Sequence, residues 1–355
     1  MKEWNYAFDP VSKADWLKQA EKDLKGTSLE SLESEWWPGE KLNPIHFAED
    51  LQQHIISLPD RFFIQPPSIM EWIDTSIFDG TTIQNNIKRA LEYGAQTIVL
   101  NVSENINADY DVWLDGVFTE MIDIEINISS ENSIPVSAII TSAPARPVIR
   151  LNRGNESSSD FLIDAIHDHD HSFHFVYAID SEGNWIKNTV DVFKKIQSDL
   201  SHWMANNREA LDFFNACILM IVPDHIYFKQ IIQTRALQLV WIQLLTRSGQ
   251  HADKIDSIIE CHILGHEMMD PDQYLIRTAA STLGASLTGV KSICIHHSDK
   301  NDLPNYYQRV NRNIHHLLSL ESGIYKGVDP VSGSYSVDFY TKKWTEEILE
   351  SLQNK

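Results

Sequence analysis

The sequence has few cysteines, few basic residues and no long apolar run, and each shortage excludes a class of protein. Its three cysteines are far apart, each lies inside an apolar run, and none forms a C-x-x-C pair, so we expect reduced core residues in a cytoplasmic protein. Lysine and arginine number 29 against 50 acidic residues, a net charge of −21, which provides no basic stripe for nucleic acid or anionic lipid. The longest apolar run, Ala216–Val222, has the length of a buried strand and is too short for a membrane span.

Several catalytic signatures are also missing from the 355 residues. The absence of any G-x-G excludes both a dinucleotide-binding fingerprint and a phosphate-binding P-loop. Neither the nucleophile elbow G-x-S-x-G nor the zinc-protease motif H-E-x-x-H occurs. The first thirty residues lack the apolar segment of a signal peptide. We therefore expect a soluble protein with no nucleic-acid and no membrane partner.

Short apolar segments alternate with helical patterns along most of the chain. Eight segments are predicted strands: Ser68–Ile73, Thr97–Asn101, Met121–Ile128, Val136–Thr141, Ser172–Ile179, Ala216–Val222, Ser257–Leu264 and Ser292–His297. The main predicted helices are Lys13–Leu24, Thr82–Tyr93, Asp224–Thr246, Asp272–Leu287, Asn305–Leu320 and Thr341–Gln353. Eight strands that alternate with helices predict an α/β fold, a closed (β/α)8 TIM barrel.

Two features modify this prediction. The connection Ser129–Pro135 is too short for a crossover helix, so either two strands pair there as a hairpin or the barrel is partly degenerate and has lost its third helix. Residues 1–60 precede the barrel as an extended and helical N-terminal arm, and residues 61–355 form the barrel with a C-terminal closing helix. The arm is rich in large aromatic side chains, namely Trp4, Trp16, Trp36, Trp37 and Phe47.

Two groups of histidines suggest a metal site. The run His167–His171 alternates imidazole and carboxylate, but it precedes the fifth strand and so lies at the end of the barrel opposite to the active-site face. His262 and His266 follow a strand on the active-site face, yet Gly265 between them argues against one continuous helix. We therefore assign no metal ligand, and a metal-dependent hydrolase that uses one of these groups stays an alternative.

The densest polar motif lies near the C-terminus. Arg309-Val310-Asn311-Arg312-Asn313 is followed by Glu321-Ser322-Gly323 and by a segment from Asp329 to Tyr335. From the residues alone, such a motif binds an anion or ties a helix to the following turn, and the structural role is favoured.

This motif resembles the barrel domain of methylmalonyl-CoA mutases, which carries R-x-x-R-N, then E-S, then D-P-x-G/S-G-S. The segments Ile232–Trp241 and Asp270–Thr278 are similar to two further motifs of that family, and Trp16–Gly26 is similar to its N-terminal opening. The resemblance implies no catalytic and no cofactor-binding residue in this chain. It implies a set of motif residues that are structural or vestigial: Arg235, Arg277, Arg309, Arg312, Asn313, Glu321, Asp329, Ser332 and Gly333.

The chain also departs from the catalytic members of that family. Ile69–Asp74 stands where they carry T-I-R-Q-Y-A-G, Tyr177 is followed by Ala178 instead of the histidine of G-Y-H-M, and Gln233 replaces a lysine. The family's cobalamin motif D-x-H-x-x-G is missing, and the chain ends at Lys355, where the linker to a cobalamin-binding domain would begin. We therefore expect no cobalamin-binding domain in this chain.

Together these features resemble the small, non-catalytic subunit of a heterodimeric mutase that interconverts methylmalonyl-CoA and succinyl-CoA. The resemblance implies that adenosylcobalamin is held by a large partner subunit and that this chain alone is inactive. The arm is expected to contact that partner, the alternative being that it packs on its own barrel. An orphan acyl-CoA-binding barrel, which keeps the channel for the pantetheine chain without the chemistry, is a further alternative.

Overall fold

The fold is taken from a computed structural model. It describes residues 11–37, 39–54, 56, 65–75, 79–102, 110–128, 148–152, 173–181, 183–250, 259–264, 270–296, 304–326 and 329–353. A two-stranded hairpin precedes the barrel, with β1 at Ser34–Trp37 antiparallel to β2 at Glu40–Leu42. Within the described ranges, no helix combines the length and the apolar content that crossing a membrane requires.

Eight parallel strands then close into a barrel. They are β3 (Ser68–Asp74), β4 (Thr97–Val102), β5 (Asp123–Ile128), β6 (Val148–Asn152), β7 (Phe173–Asp180), β8 (Cys217–Val222), β9 (Ile259–Ile263) and β10 (Ser292–Ile295). Each strand pairs in parallel with the next along the chain, and β10 pairs with β3 to complete the ring. The predicted (β/α)8 TIM barrel is confirmed.

Helices surround the barrel wall. After α1 (Lys13–Asp23), which belongs to the N-terminal arm, they are α2 (Gly80–Glu92), α3 (Tyr110–Trp113), α4 (Trp185–Ala205), α5 (Ala210–Ala216), α6 (Tyr227–Arg247), α7 (Pro271–Ser286), α8 (Pro304–His316) and α9 (Tyr335–Gln353). Short helical turns occupy Leu29–Leu32, Ala48–Gln53, Thr119–Met121, Leu317–Glu321 and Ile324–Lys326. The closing helix α9 packs against α4 and α6, so α6 is covered on both its inner and its outer face.

Local sequence explains where these helices begin and end. Asp79 caps α2, because its carboxylate accepts a hydrogen bond from the Thr82 amide at 3.0 Å. The helix stops before Gly94, whose φ of +91° suits glycine and where an added Cβ would lie 2.8 Å from the His316 ring. Asp270 caps α7 in the same way, with Pro271 in the first turn, where a missing amide hydrogen costs nothing.

The fourth strand of the barrel lies further along the chain than the sequence pattern indicated. The predicted strand Val136–Thr141 and the connection Ser129–Pro135 lie outside the described residues. The strand that pairs with β5 is Val148–Asn152, and the pairing is parallel, with Glu125 opposite Val148. The connection after β5 therefore extends over residues 129–147, so the reason for expecting a hairpin there, its shortness, does not hold.

The second half of the arm packs on the chain's own barrel. The Trp36 ring lies 5.6 Å from that of Trp344 on α9, and Leu42 is buried in the barrel core. Glu40 is buried as well, and its carboxylate accepts hydrogen bonds from Lys343 Nζ at 2.8 Å and from Trp344 Nε1 at 3.1 Å. These contacts join the hairpin to the closing helix.

Replacing Glu40 with alanine is expected to destabilise the protein by about 2 kcal/mol, because Lys343 and the Trp344 indole then lose a charged acceptor in a buried position. Urea unfolding followed by tryptophan fluorescence measures this change. The exposed Glu49 provides the control, and Glu49→Ala is expected to change the free energy of unfolding by less than about 0.5 kcal/mol. An equal effect of both substitutions would contradict the account of the hairpin contact.

Candidate functional site

The barrel interior carries the unusual chemistry of this molecule. Successive side chains of a strand point to opposite faces, so each barrel strand presents one set outward to the helices and one set inward to the axis. On β9, Ile259, Cys261 and Ile263 belong to the core between barrel and helices, which leaves Glu260 and His262 facing inward. The same alternation places polar or charged side chains in the interior from four more strands, namely Asn101, Glu125, Asn127, Arg150 and His174.

Arg150 lies at the centre of this interior. Its guanidinium donates to Glu125 on the adjacent strand β5, and also to Glu260 Oε2 on β9 at 2.5 Å. Strands β6 and β9 are not neighbours in the ring, so the contact with Glu260 runs across the barrel interior. The Arg150 side chain is fully buried, and the two glutamates are at most 4% exposed. A buried ion cluster therefore fills the middle of the barrel.

The three charges of this cluster titrate abnormally. Burial opposes the charge of Arg150, but the carboxylates of Glu260 and Glu125 outweigh it and raise the arginine pKa further. For Glu260, burial is likewise outweighed, since the guanidinium of Arg150 lowers the pKa of this carboxyl below its ordinary value. For Glu125, burial and the negative charge of Glu260 prevail over Arg150, and its pKa is raised. The pKa values of the two carboxyls are therefore shifted in opposite directions by the same cluster.

His174 extends the cluster on β7. Its Nδ1 lies 3.9 Å from Glu125 Oε1, too far for a hydrogen bond, and burial together with the positive charges of Lys291 and Arg150 lowers its pKa to about 4. The imidazole is therefore neutral at pH 7. Since a neutral histidine adds no charge, the net charge of the interior is set by Arg150 and the two glutamates.

A second polar group lies nearer the carboxyl ends of β9 and β10. His262 Nδ1 is 2.9 Å from His296 Nε2, and the Trp72 ring packs edge-on against His262, with ring centroids 5.6 Å apart. Cys294 stands opposite His262 in the β9–β10 register. Burial, reinforced by the carboxylates of Glu71 and Glu260, raises the pKa of the Cys294 thiol well above its ordinary value. Without a further partner, this thiol is protonated and is not a nucleophile.

The motif residues of the sequence analysis lie outside the barrel interior. Arg235, on the buried helix α6, forms an ion pair with Asp329 in the turn before α9, and Asp329 also accepts a hydrogen bond from the Val331 amide at 3.0 Å. Arg312 of α8 pairs with Glu71 on the outer face of β3, with Nη2 2.9 Å from Oε1. These two arginines tie helices to the barrel and to the closing helix. The remaining motif residues are exposed, namely Arg277, Arg309, Asn313, Glu321, Ser332 and Gly333.

Of the histidines that the sequence analysis considered as metal ligands, only His262 lies within the described residues. His262 lies in the barrel interior, but His266 and the run His167–His171 lie outside the described residues. Sequence reasoning missed Glu125, Arg150 and Glu260. The available signal was a single charged residue at the centre of each of three apolar strand segments, I-E-I, I-R-L and I-E-C. A buried strand segment with one charge at its centre indicates an inward-facing partner elsewhere in the barrel.

The C-terminal part of the chain is similar to one known family. Residues 212–354 match the family model of methylmalonyl-CoA mutase. The relatives include a methylmalonyl-CoA mutase of Rhizobium meliloti, 29% identical over 34% of this chain and 18% of the relative. A methylmalonyl-CoA mutase small subunit of Porphyromonas gingivalis is 28% identical over 34% of this chain and 21% of the relative. The family resemblance is thus confirmed for this part, and the match spans about a fifth of the relatives' own lengths.

Solved structures with a similar shape come from another family. Dihydropteroate synthase of Yersinia pestis is 11% identical with a TM-score of 0.42, over 71% of this chain and 92% of that one. The enzyme of Stenotrophomonas maltophilia is 10% identical with a TM-score of 0.44, over 72% of this chain and 92% of that one. At these scores the likeness carries no argument about function.

The opposite pKa shifts of Glu125 and Glu260 predict different pH dependences of stability for the variants Glu125→Gln and Glu260→Gln. A raised pKa means that the folded protein holds the Glu125 proton more tightly than the unfolded chain does. The protonated carboxyl therefore contributes to the stability of the fold at low pH, and this contribution is lost as the pH rises above the ordinary value of 4.5. Glu125→Gln imitates the protonated carboxyl, so its stability relative to the parent is expected to improve between about pH 4.5 and 7.5. Glu260 has a lowered pKa, so its contribution is present above the ordinary value and lost in acid. Relative to the parent, Glu260→Gln is therefore expected to lose stability as the pH rises towards about 4.5 and to keep a constant deficit above that value.

Urea unfolding of the parent and the two variants at several pH values measures both trends. The two substitutions are chemically identical, and each serves as the control for the other. Relative to the parent, Glu125→Gln is expected to gain stability as the pH rises above about 4.5, whereas Glu260→Gln is expected to lose stability as the pH rises towards that value. A relative loss for Glu125→Gln above about pH 4.5, or a relative gain for Glu260→Gln below it, would contradict the opposite pKa shifts of the two carboxyls.

Proposed function

We propose that this chain is the non-catalytic small subunit of an adenosylcobalamin-dependent methylmalonyl-CoA mutase, in which it stabilises a large, cobalamin-bearing subunit. The proposal rests on one observation: the side chain of Arg150, on β6, reaches across the barrel interior to Glu260 on β9. A side chain that crosses the interior and is held at both sides by carboxylates leaves no path along the barrel axis for the pantetheine chain of an acyl-CoA.

The positions that would contact substrate support the same conclusion. Rearrangement of an acyl thioester needs hydrogen-bond donors aimed at the thioester oxygen. On β7, Tyr177 points away from the interior, since its hydroxyl donates to Asp199 on α4 at 2.9 Å. The next residue, Ala178, has no donor in its side chain. In the middle of β3, Met70 and Trp72 face inward, and of these two only Trp72 carries a donor, its indole N–H.

The proposal also places the cofactor in the partner subunit. Carbon-skeleton rearrangement through radicals depends on a cobalt–carbon bond, which no side chain can replace. Near the carboxyl ends of β9 and β10, the rings of Trp72, His262 and His296 pack against one another, so this side of the interior is already filled by protein contacts. In this proposal, adenosylcobalamin therefore belongs to the partner subunit.

One of the relatives also supports the proposed role as a subunit. The Porphyromonas gingivalis relative is itself named as a small subunit. The motif residues that this chain shares with the family are, where they are buried, structural, since Arg235 and Arg312 support the helix layer. A chain that keeps the architecture and fills the interior is suited to bind a related barrel. The alternative of an orphan acyl-CoA-binding barrel is disfavoured by the buried ion cluster.

The test is reconstitution with a full-length, cobalamin-binding mutase chain from the same organism. The expected result is a stable complex in equal proportions by size-exclusion chromatography with light scattering, and a higher unfolding temperature of the large chain in the complex. Mutase turnover with added adenosylcobalamin is expected from the complex and not from this chain alone. The absence of any complex, or turnover by this chain alone, would contradict the proposal.

A further inference from the structure

Three potential metal ligands converge at the carboxyl end of β9 and β10. The ligand atoms of His262, Cys294 and His296 all lie within 4.8 Å of one another, and they form the one such group among the residues that the structure describes. The strand register explains this convergence, because Cys294 stands directly opposite His262 and His296 follows Cys294 by two residues on the same face. The first two side chains are buried, and His296 is partly exposed.

The types of these ligand atoms and the distances between them suit a tetrahedrally coordinated cation. Two imidazoles and a thiolate are ligands that zinc prefers, at about 2.0–2.1 Å for nitrogen and about 2.3 Å for sulfur. Tetrahedral coordination at those bond lengths separates two nitrogens by about 3.3 Å. His262 Nδ1 and His296 Nε2 are 2.9 Å apart, so a cation could replace the shared proton with a small outward shift of the rings.

The surroundings of His262 match a metal-binding imidazole. Its Nε2 is buried without a hydrogen-bond partner and lies 3.8 Å from Glu260 Oε2. Glu260 is in turn fixed by Arg150. A histidine that ligates metal through one nitrogen commonly directs the other N–H at a carboxylate, which sets the tautomer and the ring orientation. The Trp72 ring packs against both histidines and restricts their rotation.

We propose that His262, Cys294 and His296 bind one divalent cation of the zinc class at the carboxyl end of the barrel interior. Three protein ligands leave one tetrahedral position for a donor from outside this group. The proposal does not depend on the subunit role above, because the site is built within this chain. Without a metal, the same geometry would be a hydrogen bond between the two imidazoles beside an uninvolved thiol, and experiment can distinguish these two states.

The test uses chelator-treated protein titrated with Co²⁺ and followed by electronic absorption, with Zn²⁺ affinity measured by calorimetry. The expected result is one equivalent of bound metal, with intense visible bands of tetrahedral cobalt and a thiolate-to-cobalt charge-transfer band. Cys294→Ser is expected to remove the charge-transfer band, and His296→Ala to weaken zinc binding at least about 10-fold. His225→Ala, at an exposed histidine outside the barrel interior, is the control and is expected to bind as the parent does.

The absorption spectrum of the folded parent protein decides the question even if a variant fails to fold. Cobalt bound only by other histidines would give no thiolate band, and that result would overturn the proposal. A thiolate band that persists in folded Cys294→Ser, or unchanged zinc affinity in folded His296→Ala, would also overturn it. Thermal unfolding of each variant establishes that it is folded.

Discussion

The Arg150 guanidinium is held between Glu125 and Glu260 in the middle of the barrel, and the rest of the interior is arranged around this cluster. Placing ionisable groups in a low-dielectric interior is expensive unless each is paired, and removal of one partner of a buried pair typically costs about 3–5 kcal/mol. The cluster therefore constrains three strands, β5, β6 and β9, to a fixed relative position. In the proposed function, the same cluster blocks the path of an acyl-CoA along the barrel axis.

The buried family-motif residues act in a different layer. Arg235 joins α6 to the turn before the closing helix, and Arg312 joins α8 to the outer face of β3. Both arginines are buried and paired, so the motif encodes how the helices and the closing segment attach to the barrel. This explains how a chain can match the mutase family over its C-terminal part through residues that lie outside the barrel interior.

The eight-stranded barrel could be predicted because most of the apolar strand segments are separated by a helical pattern with one apolar face. Such local patterns depend on near neighbours in sequence. The ion cluster could not be predicted in this way, because Arg150 and Glu260 come from distant segments and meet only when the ring closes. The fourth strand was also misplaced to Val136–Thr141, which hid the inward position of Arg150.

The histidine and cysteine group shows the same limit. His262 was recognised as a candidate ligand, but helical spacing suggested His266 as its partner, whereas the strand register brings it to Cys294 and His296. Cys294 is buried as the sequence indicated, yet burial alone does not reveal which side chains surround it. Partners across strands follow from register, and register follows from closure of the whole barrel.

Binding of methylmalonyl-CoA to the isolated chain is the most direct test of a closed interior. Isothermal titration calorimetry of the folded, partner-free protein measures it without any contribution from a catalytic subunit. The closed interior predicts no saturable binding up to about 1 mM ligand, the weak end of biological affinities. Stoichiometric binding in the micromolar range would show that acyl-CoA has a site in this barrel and would contradict the account.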